Sequence, residues 1–292
     1  MSDIYDMLEN GQRQKSQRYT IEEYKQLKKE EKNQVFQIAN EQLEQVLGSQ
    51  EQFQRYLDIQ SRMDRYSATN VLLIMRQRPD TSQLKDYEGW LQAGTRVNRG
   101  EKSITILEPY AYQKSDGSTG TGYNVKKVFD ISQTSMPNIL KKERPTQQQV
   151  LKALVRSAPV PVKADDGENC QGKNIHYDEG SMTVYIRRGL TADEFFNSLS
   201  ETLANVRLDN GAADSKYQDV GKTVTYMLAR AFDFPCDRIK IPQLYQQLDQ
   251  KEVRKELNRA RTIFSQMKSE CYPEVDLDRQ ALRKAGKGKD ER

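Results

Sequence analysis

The stretch EFFNSLSETLANVRLDNG, residues 194–211, carries residue types at a spacing that raises the question of metal chemistry. Glu201 and Asn205 are four residues apart, so they share one face of a helix, with Thr202 beside them. A β-hairpin, a helix with a polar pair at this spacing and a second helix form the layout of zinc-dependent peptidases. There the pair is His/His with a Glu between them, in the motif HExxH. In this chain the spacing of the motif is present without its histidines.

The ligand chemistry of the whole chain argues against a zinc site. A catalytic zinc ion needs about three protein ligands, usually His with a carboxylate, and an open position for water. The chain has one histidine, His176, which we expect to be half-buried in the hairpin before the helix. Its three cysteines, Cys170, Cys236 and Cys271, are widely spaced and match neither a zinc knuckle nor a disulfide framework. We therefore expect no cofactor and no peptidase activity.

A second set of residues has the chemistry of a polyanion site. Residues 62–102 contain eight Lys or Arg and five Asp or Glu, which is +3 of the chain's net charge of +4. Within them the segment TRVNRGEK spaces Arg96, Arg99 and Lys102 three apart around a glycine. Backbone and cations can then approach phosphates together. This spacing predicts phosphate contacts by the segment.

Aromatic residues near these cations offer faces for nucleic-acid bases. Tyr66 and Trp90 lie in the same segment, and stacking a base on an aromatic ring contributes about 1–3 kcal/mol without requiring a sequence. Each has a structural alternative. A lone tryptophan before Leu91 is commonly a core residue, and RGEK also fits a solvated β-turn in which Glu101 pairs with a neighbour.

Hydrophobic periodicity predicts the elements that position these residues. Strands are predicted at 103–112 and 123–132, joined by the loop KSDGSTGTG, and a hairpin at 174–188. Thr191 and Glu194 form the capping pattern of the helix that carries Glu201. The remaining helices are predicted near 21–47, 51–67, 69–78, 86–94, 146–158, 217–234 and 249–270, the last mostly solvated.

Length and composition favour two α+β domains with modest cores, since 36% of residues are apolar and the mean hydropathy is −0.89. The chain start lacks the apolar core of a signal peptide, and no run approaches the ~20 residues of a membrane span, so we expect a cytoplasmic protein without a membrane partner. The predicted organisation is a mobile N-terminus (1–19), a first domain (20–135), a linker (136–145), a second domain (146–272) and a disordered charged tail (273–292).

The helix FFNSLSETLANVRLDNG resembles the F…LAHELAH… helix in the C-terminal domain of ArdC-type antirestriction proteins and related proteins of conjugative elements. The resemblance implies that Glu201 stands for the first zinc His, Thr202 for the general-base Glu and Asn205 for the second His. The family's third ligand is a Glu in an AE pair shortly before an AF. Aligning that AF with residues 231–232 puts the pair on Tyr226 and Met227, so the resemblance implies a degenerate zincin-like domain.

The segment RMDRYSATNVLLIMRQRPDTSQLKDYEGWLQAGTRVNRGEKSITILEP is similar to the N-terminal, single-stranded-DNA-binding domain of the same family. The family pattern is an aromatic-Ser pair, an Asn before LLI, a Pro, a W…G helix end and V.KGEK.I.IL.P. The matching positions are Tyr66-Ser67, Asn70, Pro79, Trp90, Gly94, Val97 and residues 99–109. The resemblance extends over roughly residues 20–270. From the segment and the resemblance, the expected nucleic-acid contacts are Tyr66, Asn70, Trp90, Arg96, Arg99, Lys102 and Lys126.

The leading hypothesis is a non-enzymatic single-stranded-DNA-binding protein of a mobile or conjugative element, with a catalytically dead metallopeptidase-like domain. The resemblance implies a role in antirestriction or in protecting transferred DNA. The alternative is a protein-interaction scaffold that holds a protein partner in the degenerate cleft, beside Ser198, Glu201 and Asn205. A live metallopeptidase is disfavoured by the missing ligands.

Overall fold

The computed structural model describes residues 20–136, 144–209 and 218–272. Its architecture is α+β, as the sequence predicts. The predicted mobile N-terminus, most of the predicted linker and the charged tail lie outside the described residues. In the first half the elements are α1 (Ile21–Gly48), α2 (Gln50–Arg62), α3 (Ala68–Gln77), β1 (Leu84–Lys85), α4 (Tyr87–Gln92), β2 (Ile104–Gln113) and β3 (Thr119–Asp130). In the second half they are α5 (Gln147–Arg156), β4 (Val162–Asp165), β5 (Ile175–Asp178), β6 (Thr183–Arg187), α6 (Ala192–Asp209), α7 (Gln218–Phe232), α8 (Gln243–Gln247) and α9 (Gln250–Glu270).

The first sheet is antiparallel, in the order β1-β3-β2. The predicted hairpin of β2 and β3 is confirmed, and its register places Ile106 opposite Lys126 and Tyr110 opposite Gly122. The short strand β1 pairs Leu84 with Asp130 at the far end of β3. Because β2 lies at the edge of this sheet, its outer backbone groups need partners other than a strand.

The second sheet has the order β4-β6-β5. The predicted hairpin is present, with His176 opposite Tyr185 and half-buried as expected. Strand β4 was not predicted from the sequence, and it pairs parallel to β6 from Val162↔Val184 to Asp165↔Arg187. Its four residues, VKAD, are too few to show the alternation of apolar and polar residues that predicts a strand.

Helix α6 begins as the capping pattern predicts: the Glu194 N–H donates to Thr191 Oγ1 (3.2 Å), and the Thr191 N–H donates to the Glu194 carboxylate (2.9 Å). The apolar spacing of this helix predicts a buried stripe of Phe195, Phe196, Leu199 and Leu203. The prediction is confirmed for Phe196, Leu199 and Leu203, which are fully buried. Phe195 was expected to be buried with them and is not. It lies at the margin of the stripe and is only half-buried.

One hydrophobic core joins the two halves of the chain, because α2 packs on α7 and α9 packs on α3, α6 and α7. The expectation that α9 is mostly solvated is wrong. One face of this helix is buried in the common core, through Val253, Leu257, Ala260, Ile263, Phe264 and Met267. Its many charged residues concealed that face in the sequence, since they occupy the other side of the same amphipathic helix.

Candidate nucleic-acid interface

A groove of about 520 Å³ opens between the start of α3, α4 and the first sheet; we call it the sheet groove. Its charged and aromatic lining residues are Arg65, Lys85, Lys126, Arg261, Asp86, Glu108, Tyr66 and Tyr123. Four cations against two carboxylates leave a net charge of +2. The groove therefore combines an excess of positive charge with two aromatic rings, the two features that bind single strands.

Tyr66 is the predicted aromatic residue that the structure places in this groove. Its ring is half-buried, and its hydroxyl donates a hydrogen bond to the Leu84 carbonyl at 3.3 Å. Burial raises the pKa of the phenol, while Arg65 and Lys126 oppose that shift. The ring is thus held at the groove wall as a neutral group.

Lys126 also lines the groove, but it already has two acidic partners. Its Nζ lies 2.6 Å from the Glu108 carboxylate and 3.1 Å from that of Asp86. Hydrogen bonds to Glu108 and Asp86 raise the pKa of Lys126, so it is charged at neutral pH. A phosphate at this position must compete with two carboxylates for the same ammonium group.

Asn70 also lines the sheet groove, and its side chain has a structural role there. It is 7% exposed. Its side chain accepts from the Leu107 N–H at 2.8 Å and donates to the Leu107 carbonyl at 2.9 Å. The amide thus substitutes for a neighbouring strand along the free edge of β2. With one hydrogen bond at each end of the amide, Asn70 supports the groove wall, and its contact with nucleic acid stays a prediction.

Trp90 is completely buried, so the expectation that it offers a stacking face is wrong. Its Nε1–H donates to the Phe129 carbonyl at 2.8 Å, and Lys85 Nζ lies 5.4 Å from the ring centroid. Trp90 is instead a core residue, which was its structural alternative. Trp90 anchors α4 to β3.

The loop TRVNRGEK presents its three cations to solvent, since Arg96, Arg99 and Lys102 are all exposed. A β-turn is closed by the Glu101 N–H donating to the Asn98 carbonyl at 3.4 Å, with Gly100 at φ 87° in the third position. This positive φ favours glycine. The turn holds the cations on a fixed backbone.

Gln133 ties this loop to the segment after β3. Its side chain donates to Glu101 at 2.9 Å and to the Lys102 carbonyl at 2.8 Å, and its carbonyl accepts from the Asn98 N–H at 2.8 Å. Glu101 also lies 3.8 Å from Arg78. The β-turn with a paired Glu101, which was the structural alternative for RGEK, is therefore present. No ion pair within the described residues involves Arg99 or Lys102, so their contact with phosphates stays a prediction.

The predicted contact residues are not gathered at one point. Tyr66 and Lys126 share the sheet groove. The loop cations precede β2, and Lys102 lies four positions before the groove residue Ile106, about 13 Å along an extended chain. The structure thus gives two basic surfaces, the groove, which Asn70 also lines, and the loop, whereas Trp90 is buried in the protein interior.

One cation of the groove comes from the other half of the chain and was not predicted from the sequence. Arg261 of α9 lines the groove next to Arg65, and its Nη1 donates to the Asp64 carbonyl at 3.4 Å. Arg65 was counted in the basic segment, whereas no local pattern points to Arg261. Tyr123, the first residue of the strand predicted at 123–132, also lines this groove.

The residues in the peptidase-like positions do not fit a zinc ion. The Thr202 hydroxyl donates to the Ser198 carbonyl at 2.9 Å, and Asn205 Oδ1 is buried against the backbone of Gly221 without a hydrogen-bond partner. Met227 lies about 120° around α7 from Gly221, at 100° per residue, so it does not face Asn205. One carboxylate, Glu201, remains, which is too few ligands for zinc.

Glu201 is half-buried beside charged residues of α7. Burial raises the pKa of its carboxyl, Lys222 opposes this shift and Asp219 adds to it. No group of three or more His, Cys, Asp or Glu in the described ranges has a metal-binding arrangement. None of the helices that the structure describes is long and apolar enough to cross a membrane.

The fold and its grooves define an α+β protein with a basic, tyrosine-lined surface. No family model matches the chain, and no curated protein matches its sequence. Among solved structures it is similar to the metal-free antirestriction ArdC protein from the R388 plasmid, with 12% identity, a TM-score of 0.43, and coverage of 70% of this chain and 84% of that one. The Mn(II)-bound form of the same protein gives 13% identity, a TM-score of 0.43, and coverage of 70% and 83%. Such values lie below those at which a shared function follows.

Proposed function

We propose that this protein binds single-stranded DNA without enzymatic activity, through the sheet groove and the loop that carries Arg96, Arg99 and Lys102. The observation that carries the proposal is the groove itself, where four cations and two tyrosines surround a cavity of about 520 Å³. Cations follow a phosphate backbone, and tyrosine faces stack on bases that are not paired. A double helix offers its phosphates to such a surface but keeps its bases stacked inside.

Binding of labelled oligonucleotides, followed by fluorescence anisotropy, tests the proposal. We expect single strands to bind more tightly than duplex of equal length. The logarithm of the association constant should fall linearly with log[salt], with a slope of roughly −0.7 for each phosphate neutralised. Arg99→Ala with Lys102→Ala should flatten this slope by about one to two units. Lys251→Ala with Lys255→Ala, an equal change of charge at exposed positions of α9, is the control.

Two results would contradict single-strand binding. Equal affinity for duplex and single strand would show a general attraction to polyanions, and no binding at low salt would favour the alternative of a protein-interaction scaffold. In that case the binding partner would be sought at the polar surface of α6 that includes Ser198 and Glu201. A role in antirestriction or in protecting transferred DNA of a mobile element, which the family resemblance implies, depends on the first outcome.

We also propose that the second half of the chain is a peptidase-like domain without zinc or peptidase activity. The support is the chemistry of three positions. Glu201 is a lone carboxylate, the Thr202 hydroxyl is hydrogen-bonded within its own helix, and the amide of Asn205 packs on Gly221. Metal analysis of the purified protein should give far less than one zinc per chain. One equivalent of zinc that is lost in Glu201→Ala would refute the proposal.

A further inference from the structure

The first half of α1 carries a stripe of four lysines that are not among the predicted contact residues. Their spacing, i, i+3, i+4 and i+7, places them within an arc of about 100° on one side of the helix. The four residues are Lys25, Lys28, Lys29 and Lys32. They line a groove of about 640 Å³ between α1 and the hairpin of β2 and β3, which we call the lysine groove. Between Lys25 and Lys32 the helix rises about 10 Å.

The lysine groove is more positive than the sheet groove. None of the described residues that line it is a carboxylate, so its four lysines give the lining a charge of +4. In the sheet groove Asp86 and Glu108 hold Lys126. On α1 a carboxylate does reach Lys28, which lies 2.8 Å from Glu31 at the edge of the stripe. Phosphates therefore meet less competition in the lysine groove.

Aromatic rings accompany these lysines. Tyr24, Tyr110 and Tyr123 line the lysine groove and are 55%, 43% and 39% exposed. An edge-to-face contact with Phe36, with ring centroids 5.8 Å apart and an interplanar angle of 86°, holds the ring of Tyr123. Charge alone would attract any polyanion, whereas exposed and fixed rings favour a strand with unpaired bases.

This part of α1 extends beyond the protein core. Residues 21–30 are all exposed, and the first buried residue of the helix is Val35. Ile21 and Leu27, which carry the helical pattern here, are 70% and 41% exposed. The fold does not use this segment for packing, so its lysine stripe and tyrosine are available to a ligand.

The lysine groove adjoins the sheet groove, because Tyr123 lines both. We propose that the lysine groove is a second binding section for one continuous single strand, which runs from the sheet groove past Tyr123 and along the lysine stripe of α1. This inference rests on the proposed function and extends it by a site. Phosphates pair with the lysines, and bases stack on Tyr24 and Tyr110.

A variant with four neutral residues in the stripe tests the charge contribution on the full chain. It combines Lys25→Gln, Lys28→Gln, Lys29→Gln and Lys32→Gln, since Gln keeps side-chain length and helix propensity. With a labelled 20-nucleotide thymidine oligomer, affinity should fall about tenfold or more near 0.1 M salt. The salt slope should flatten by about two units, because the four lysines neutralise two to four phosphates at roughly 0.7 each. The control replaces the exposed lysines Lys163, Lys173, Lys251 and Lys255 with Gln and should change both quantities little.

A second variant tests the stacking contribution. Tyr24→Leu with Tyr110→Leu should weaken single-strand binding at least threefold, leave the salt slope unchanged and leave duplex binding unchanged. Tyr87→Leu, which removes an equally exposed ring outside both grooves, should have no effect. Circular dichroism should match the wild type and thermal melts should remain cooperative, because the changed side chains lie outside the core.

The outcomes separate this inference from the proposed function. If the wild type prefers single strands but the lysine variant keeps its affinity and slope, the lysine groove is not part of the site, while single-strand binding stands. If the lysine variant loses duplex affinity as much as single-strand affinity and the tyrosine variant changes nothing, the groove attracts polyanions in general and the inference is wrong. If the wild type itself shows no single-strand preference, the proposed function fails first.

Discussion

Tyr110 is positioned by the missing side chain of the glycine opposite it. Tyr110 pairs with Gly122 across the strands, and its ring occupies the space that a Cβ on Gly122 would take. Tyr112 covers Gly120 in the same way. Covering a strand glycine with an aromatic ring from the neighbouring strand fixes the ring and fills the gap in the sheet.

Gly122→Ala should therefore act as a mutation of Tyr110. The new methyl group forces the ring away from the backbone, and we expect single-strand affinity to fall to the extent that Tyr110→Leu lowers it, with an unchanged salt slope because no charge is altered. Gly48→Ala is the matched control, since a Cβ there meets no atom within 4 Å. Unchanged binding in Gly122→Ala, with a folded protein, would show that Tyr110 is not a stacking surface.

The carboxyl of Glu201 predicts a measurable pH effect. Burial raises its folded-state pKa above the unfolded value, so the folded protein binds the proton more tightly. The free energy of unfolding then falls as pH rises from the unfolded pKa, about 4.3, through the folded one. Glu201→Gln should raise the stability at pH 7 relative to the wild type and change it less at pH 4. Chemical denaturation at both values measures this, and an equal difference at the two would contradict it.

Single residues also show which functional roles can be predicted from the local sequence and which cannot. The types and spacing around Tyr66, Arg99 and Lys102 suffice to place a ring at a groove and cations on a turn. They do not distinguish a ligand-binding Asn70 or Trp90 from a structural one. That distinction depends on backbone partners 37 and 39 residues away, at Leu107 and Phe129.

Among the elements, α6 separates a packed face from a polar one. Leu203 is fully buried in the common core, so Leu203→Ala should cost about 2–5 kcal/mol of unfolding free energy as a large-to-small change. Asn205→Ala should cost much less, because its Oδ1 makes no hydrogen bond. Urea denaturation of both variants measures the difference, and the reverse order would show that the two faces of α6 are wrongly assigned.

Asp130 holds the start of β1 against the end of β3. It is 1% exposed and accepts hydrogen bonds from the N–H groups of Ser82 (2.8 Å), Gln83 (2.9 Å) and Ser132 (3.0 Å). Burial alone would raise the pKa of this carboxyl, but the hydrogen bonds from Ser132, Ser82 and Gln83 together lower it. The residues that Asp130 fixes also include Gln133, which supports the cationic loop.

Asp130→Asn should cost about 1–3 kcal/mol at pH 7, because one acceptor oxygen becomes an N–H₂ group that faces backbone donors. The wild-type advantage is present above the unfolded pKa, about 3.9, and disappears as pH falls through the lowered folded pKa. Chemical denaturation at pH 7 and pH 3 should show this loss. Asp116→Asn, in the exposed hairpin turn, is the control, and an equal cost in both variants would contradict the assignment.

The elements themselves were largely predictable. Periodicity and capping residues locate α1, α6 and the two hairpins, because those signals are local. Burial was less predictable. The apolar periodicity of α1 continues through its exposed start, and the many charged residues of α9 conceal its buried face. Which turns of a helix meet a neighbour depends on elements that are distant in sequence.

At the scale of the molecule, hydrogen bonds connect the two predicted domains, whereas independent domains would be joined mainly by a linker. Asp58 of α2 accepts from the Tyr226 hydroxyl and from Arg230 Nε of α7, both at 2.8 Å. Burial raises the pKa of Tyr226 to about 12, and Asp58 adds to the shift, so this phenol remains a donor. Asn258 of α9 accepts from the Ala68 N–H at the start of α3, at 2.8 Å.

A fragment that ends at residue 136 should therefore not behave as an independent binding domain. It would expose Phe53 and Leu57, which are 0% and 1% exposed in the full chain, and it would lack Arg261 in the sheet groove. We expect broad, non-cooperative thermal unfolding of the fragment and single-strand affinity at least tenfold below that of the full chain. Arg261→Gln in the full chain separates the two causes, since it should reduce affinity a few-fold while the melt stays cooperative. A fragment that melts cooperatively and binds as the full chain does would show that the first half folds and functions alone, and the shared core would then serve only to join the halves.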